Sequence, residues 1–138
     1  YAAGWNDEGV LLLQIESVQG VDQADRLLSH PAVDGLMVGP YDISGSLGIP
    51  GELAHPRVAE ACAQVLEVCR RRGRACGTQL VDPTQEHFQA ALEEGYTFVV
   101  LASDIFILWK WSERMRGIVE RQCPSGAAKA APPRVQSR

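Results

Sequence analysis

Two acids, Glu16 and Asp42, each stand just past an apolar run, in Leu11-Leu12-Leu13-Gln14-Ile15-Glu16-Ser17 and in Leu36-Met37-Val38-Gly39-Pro40-Tyr41-Asp42-Ile43-Ser44. Read as buried parallel strands, these runs put both acids at strand carboxyl ends, where parallel α/β proteins place their binding crevice. Carboxylates crowded there repel, and one takes up a proton unless a cation intervenes. Two carboxylates, completed by water or substrate oxygens, are the shell that magnesium and similar hard ions take. A 2-oxo acid chelating such an ion loses electron density at its carbonyl, and the enolate left by breaking an adjacent C–C bond is stabilised. Gly39 has no side chain to keep a bound acid from the backbone N–H groups of the Gly39-Pro40-Tyr41-Asp42 turn. A plainer role is open to Asp42, which can cap a following helix through its side-chain oxygen. Glu16 fits that role less well, because Ser17 is the better cap.

The elements that must position these acids can be read in order. Val10 to Ile15, interrupted by Gln14, is a strand buried on both faces. Ser17 to Ser29 carries Val21, Ala24, Leu27 and Leu28 at helical spacing and stops at His30-Pro31. Gly35 to Gly39 is the second strand, and Ser44 to Gly51, rich in glycine and proline, is a loop after it. Pro56 to Arg72 is a helix with proline in its first turn, a Val58, Ala61, Val65, Val68 stripe and a Gly73 cap. Ala75 to Val81 is a third strand, and Asp82-Pro83-Thr84-Gln85 starts a helix with Asp82 as N-cap, which Phe88, Ala91 and Leu92 anchor and Gly95 ends. Thr97 to Ala102 is the fourth strand and Ile105 to Arg121 the last helix. Four βα units in series suit a small open parallel sheet, and equally half of a (β/α)8 barrel.

Bulk properties exclude several classes. With 138 residues, 46% hydrophobic and 22% charged, the chain has the size and composition of one globular domain. Its net charge of −4 offers no basic face for nucleic acid, and the Arg70-Arg71-Arg72 run with Arg74 sits at a helix end, where cations complement the dipole. No run approaches the roughly 20 apolar residues of a membrane span. The start at Tyr1 has neither the basic region nor the apolar core of a signal peptide and reads as a piece of a larger protein. Cys62, Cys69, Cys76 and Cys123 form no CxxC pair and read as reduced thiols of a cytoplasmic protein. Gly45-Ser46-Leu47-Gly48 has neither dinucleotide-fingerprint nor P-loop spacing. From Cys123 the composition cannot build a core, so a disordered tail is expected.

The segments Gln14-Ile15-Glu16-Ser17, Val33 to Ser44, Leu47-Gly48-Ile49-Pro50 and His55-Pro56-Arg57-Val58 resemble the HpcH/HpaI aldolase family, in order, from about Tyr1 to Arg121. The resemblance implies an α/β fold of the TIM-barrel family, with residues 1–121 supplying the last four βα units and 122–138 the tail. It implies class II chemistry: a divalent cation (Mg, Mn or Co) and cleavage of 4-hydroxy-2-oxo acids, of the 4-hydroxy-2-oxoheptanedioate type, to pyruvate and an aldehyde through a metal-stabilised enolate. Glu16 and Asp42 would ligate the metal, Gln14 would hydrogen-bond the keto acid, and the backbone at Gly39, Tyr41 and Asp42 would receive its carboxylate. Tyr41 stands where the family usually has a small residue. Gln79 stands where it tends to be apolar and puts a polar group near the aldehyde. The family's catalytic histidine and arginine belong to the first half of the barrel, and none of His30, His55 and His87 replaces them. Ile105 to Trp111 is apolar around much of the last helix, and family members look like trimers or hexamers joined through terminal helices, so a homo-oligomer is expected. Two other readings are an inert fragment or assembly module acting through that helix, and citryl-CoA or malyl-CoA lyase-like chemistry.

Overall fold

The computed structural model describes Gly4 and residues 8–123, so the expected disordered tail lies almost wholly outside the described residues. Four strands, β1 (Leu12–Ile15), β2 (Gly35–Val38), β3 (Ala75–Leu80) and β4 (Phe98–Leu101), form one parallel sheet in the order β1-β2-β3-β4. Between and after them run α1 (Val18–Asp22), α2 (Ala24–Leu28), α3 (Pro40–Ser46), α4 (Pro56–Arg72), α5 (Gln85–Glu94) and α6 (Asp104–Gln122). Residues up to Ala102 make one compact unit, and α6 belongs to a second.

Register sorts the side chains by face. Ile15 pairs with Val38, Val38 with Thr78 and Thr78 with Val99, while Leu36 pairs with Cys76. These residues face the helices and pack with Val21, Ala24, Leu28, Val65 and Cys69 in the core. The alternate residues face the other way. Gln14 pairs with Met37, Met37 with Gly77 and Gly77 with Phe98. Gly77 keeps room for the Phe98 ring, since a Cβ there would lie 2.7 Å from its Cδ1 and the ring would have to shift.

Several helix boundaries differ from the sequence reading. The expected Ser17 to Ser29 helix is two short helices meeting at Gln23 (φ −98°, ψ 2°), a break that no proline or glycine announces. Ser17 does cap the first, accepting from the Gly20 N–H. Pro40 to Ser46 is helical, although Ser44 to Gly51 reads as loop. The α5 cap is Thr84, which accepts from the His87 N–H, and not Asp82, two residues too early. Of the three residues expected to anchor α5, Ala91 is buried but Phe88 and Leu92 are 38% and 50% exposed. The α4 helix runs from Pro56 to Arg72 and ends on Gly73 in the left-handed region, as its proline and glycine require.

The arginine run at the end of α4 has a structural job. Arg71 and Arg72 both bond the Asp25 carboxylate of α2, Arg72 through Nε and Nη2. All four cysteines are free thiols. Described by itself, α6 begins after Ser103, with the Ile105 N–H donating to the Asp104 carboxylate. Farther along it, Arg116 pairs with Glu113, and the Arg114 guanidinium lies 5.9 Å from the Trp111 ring centre. No helix among the described residues is long and apolar enough to cross a membrane.

Candidate active site at the strand ends

The ends of β1 and β2 are tied together by backbone. The Gly39 N–H donates to the Ile15 carbonyl at 2.9 Å, so Glu16, the next residue, comes level with Gly39. Gly39 is the N-cap of α3, and Pro40 occupies its first turn. The first helical bond runs from the Ile43 N–H to the Gly39 carbonyl at 3.0 Å, and proline has no N–H. The amides of Tyr41 and Asp42 are therefore the ones left at this helix start without an intrahelical acceptor.

Two serines hold that start in place. The buried Ser44 hydroxyl donates to the Tyr41 carbonyl and accepts from the Gly51 N–H at 2.9 Å, which fastens α3 to its following loop. The Ser46 hydroxyl accepts from the Val18 N–H at 3.0 Å, which fastens the other end of α3 to the start of α1. Sequence reading missed both, because Ser44-Gly45-Ser46, followed by Leu47-Gly48-Ile49-Pro50-Gly51, has the composition of a loop. It also missed Ala102, which follows β4 with φ 61° and donates its N–H to the Leu80 carbonyl at 2.8 Å. An alanine carries no sequence signal for a left-handed backbone.

Glu16 and Asp42 converge on Gly39. A Cβ built on Gly39 would lie 3.0 Å from Cγ of Glu16, 3.5 Å from the Ile15 carbonyl and 3.6 Å from Oδ2 of Asp42. The two acids thus border one space that is open only because residue 39 has no side chain. Asp42 is not occupied in capping, since it lies in the first turn of α3 and the N-cap Gly39 has no side-chain bond. Both acids are exposed. Gln14, two residues before Glu16 on β1, faces the same side, opposite the helices. Gln79 pairs with Val100 on that side of β3 and is half-buried. Tyr41 is 65% exposed beside Asp42.

The histidines serve their own backbones. Nδ1 of His30 accepts from the Ala32 N–H and Nδ1 of His55 from the Arg57 N–H, each at 3.2 Å. Nδ1 of His87 lies 3.0 Å from the Asp82 carbonyl. No group of three or more His, Cys, Asp or Glu suited to a metal occurs among the described residues. The strand-end site brings the Asp42 carboxylate and the Glu16 side chain to one open point beside Gly39.

Comparisons with known proteins give the family and the fold. Residues 2–110 match the family model described as HpcH/HpaI aldolase/citrate lyase. The chain is 33% identical over 115 residues to the 5-keto-4-deoxy-D-glucarate aldolase of Citrobacter koseri, covering 83% of this chain and 44% of that protein. It is 36% identical over 107 residues to the 2-keto-3-deoxy-L-rhamnonate aldolase of Klebsiella pneumoniae, covering 78% and 39%. The crystal structure of the HpcH/HpaI aldolase from Desulfitobacterium hafniense superposes with a TM-score of 0.76 at 28% identity, covering 87% of this chain and 48% of that one. The chain thus spans less than half the length of these relatives. Its parallel sheet is the α/β architecture of their TIM-barrel-like fold. On the match over residues 2–110, the chain belongs to the HpcH/HpaI aldolase/citrate lyase family.

Proposed function

We propose that this chain is the carboxyl-terminal part of a metal-dependent aldolase that cleaves 4-hydroxy-2-oxo acids to pyruvate and an aldehyde. The observation that carries the reading is the space at Gly39, bordered by Cγ of Glu16 and Oδ2 of Asp42 at 3.0 and 3.6 Å from one Cβ-sized point. Glu16 and Asp42 would hold Mg, Mn or Co there. Such an ion supplies Lewis-acid polarisation of the keto group. Gln14, on the same side of the sheet, donates to the 2-oxo acid. The free amides of Tyr41 and Asp42 receive its carboxylate, a use suited to N–H groups at a helix start.

The two named relatives act on 5-keto-4-deoxy-D-glucarate and 2-keto-3-deoxy-L-rhamnonate. A deoxy keto sugar acid is accordingly the substrate class proposed here. Gln79 is suited to it, because its amide both donates to and accepts from the hydroxyls of a polyhydroxylated aldehyde. The proton-transfer histidine and the arginine on the keto group are assigned to the barrel's other half. Oligomer contacts are assigned to α6, in which five consecutive apolar residues, Ile105 to Trp109, cannot share one stripe.

Titration of Mn2+ into the chain, followed by the loss of its free-ion EPR signal, tests the metal site directly. Saturable binding is expected, weakened at least about tenfold in Asp42→Ala and in Glu16→Gln, a difference of about 1.4 kcal/mol. Equal affinity in the parent and both variants would overturn the assignment. A coupled pyruvate assay on 5-keto-4-deoxy-D-glucarate should give little turnover from the chain alone, and robust turnover would show that the chain already contains its proton-transfer groups.

A further inference from the structure

We propose that Ser46 is a positioning residue for the Glu16–Asp42 pair: its hydroxyl, by holding the Val18 N–H, sets the stretch that carries Glu16 against the helix that carries Asp42. This role rests on the metal site proposed above, and Ser46 is not one of its ligands.

The two acids have unequal support. Asp42 lies in the first turn of α3, which Ile43 and Ser44, both fully buried, seat in the core. Glu16 belongs to no strand or helix: β1 ends at Ile15, Ser17 is the N-cap of α1, and Glu16 is exposed between them. A side chain on such a connection is placed firmly when the connection is fastened at both ends, because each tie removes backbone freedom. At the β1 end, the Gly39 N–H donates to the Ile15 carbonyl at 2.9 Å. At the α1 end, the Val18 N–H donates to the Ser46 hydroxyl at 3.0 Å. Glu16 thus lies between the two ties along its own segment. Asp42 lies between them along α3, whose N-cap is Gly39 and whose last residue is Ser46.

The second tie does more than satisfy a donor. Val18 is the first residue of α1, and its N–H is an orphan of the helix start. The N-cap hydroxyl of Ser17 is taken by the Gly20 N–H at 3.1 Å. Water could serve the Val18 N–H, since Val18 is only half-buried, but water would not fix α1 to α3. Ser46 does so from 28 residues away. Ser46 is exposed, and an exposed hydrogen bond adds little to folding stability. Its effect is therefore local, on the placing of Glu16, whose Cγ comes within 3.0 Å of the Cβ-sized point beside Gly39. Groups that orient metal ligands tune affinity without touching the metal.

The bond can be removed from either end. Ser46→Ala deletes the acceptor and Val18→Pro the donor. Proline suits that position, because the first helical residue accepts it and Ser17 before it is already extended at φ −145°, ψ 157°. Mn2+ titration of the full chain, read by the free-ion EPR signal, should show each variant binding about tenfold more weakly than the parent, and the double variant no weaker than either. Ser46→Thr, which keeps the hydroxyl, should bind as the parent does. In a Glu16→Gln background Ser46→Ala should change affinity by less than about twofold, since the carboxylate it places is gone, whereas a merely structural loss would persist. Parent affinity in Ser46→Ala, with Glu16→Gln still weakened, overturns the role of Ser46 and leaves the metal site standing. A loss that persists in full in the Glu16→Gln background overturns that role equally. No saturable binding by the parent overturns the metal site, and this role with it.

Discussion

Gly39 is the residue on which the candidate active site depends, and for a steric reason. Its φ of −106° is open to any residue, so an alanine there brings no backbone strain. The added methyl would instead stand 3.0 Å from Cγ of Glu16 and 3.6 Å from Oδ2 of Asp42, and the Glu16 side chain must shift. Gly39→Ala is therefore expected to cut Mn2+ affinity about tenfold or more, while unfolding stability moves by less than about 1 kcal/mol. A large loss of stability with metal affinity retained would show that Gly39 serves packing. The strand-end position of Glu16 and Asp42 was legible from sequence, because apolar runs mark strands and an acid just beyond one is at its rim. The meeting of the two acids at Gly39 was not legible. It depends on the Gly39 N–H reaching the Ile15 carbonyl, a pairing between strands that one strand's composition does not specify.

Elements proved readable where their ends carry chemistry and unreadable where they do not. Pro56 and Gly73 bracket α4 and their signals are local, and Pro40 gives the start of α3 the same kind of signal, whereas its continuation to Ser46 is held by the Ser44 and Ser46 bonds and the break at Gln23 has no local proline signal. The same logic ranks two glycines that end helices. Gly73 has φ 63° and Gly95 φ 109°, and a Cβ on either would meet nothing within 4 Å, so only backbone conformation is at stake. Left-handed helical values such as those of Gly73 cost an L-residue about 1 kcal/mol, and values beyond that region cost more. Gly95→Ala should accordingly destabilise more than Gly73→Ala in urea unfolding. At Ala102, φ 61°, the opposite exchange applies: Ala102→Gly should raise stability or leave it level, because release of the left-handed alanine offsets the entropy a glycine adds to the unfolded chain. A clear loss at Ala102→Gly would show that its methyl packs usefully.

At the scale of the whole molecule, α2 and the end of α4 are joined by charge, and pH reads that join. Hydrogen bonds from Arg72 and then Arg71 hold the Asp25 carboxyl far below the ordinary value of 3.8. A lowered folded value stabilises above the unfolded pKa and is lost as pH falls through the folded one. Asp25→Asn should thus lower Tm by a constant amount from about pH 7 to about pH 5, and by progressively less below about pH 4. The effect should shrink in high salt, since these side chains are 34–59% exposed. The sheet itself raises a second whole-molecule question, and here the sequence was informative, because four βα units in series already imply parallel strands with two edges. Among the described residues β1 pairs only with β2 and β4 only with β3. Both edge strands keep backbone groups able to pair with another chain, and Phe98 on the side away from the helices is 42% exposed. Concentration-dependent self-association in light scattering is the expected behaviour of the purified chain. Leu12→Lys with Val100→Lys would place a charge on each edge strand, on the side away from the helices, where a like-charged pair must be desolvated when edges meet. The doubly substituted chain should remain monomeric at concentrations where the parent associates. If it associates as readily as the parent, the contact lies elsewhere on the surface, and the sheet edges are not the adhesive feature of this half-barrel.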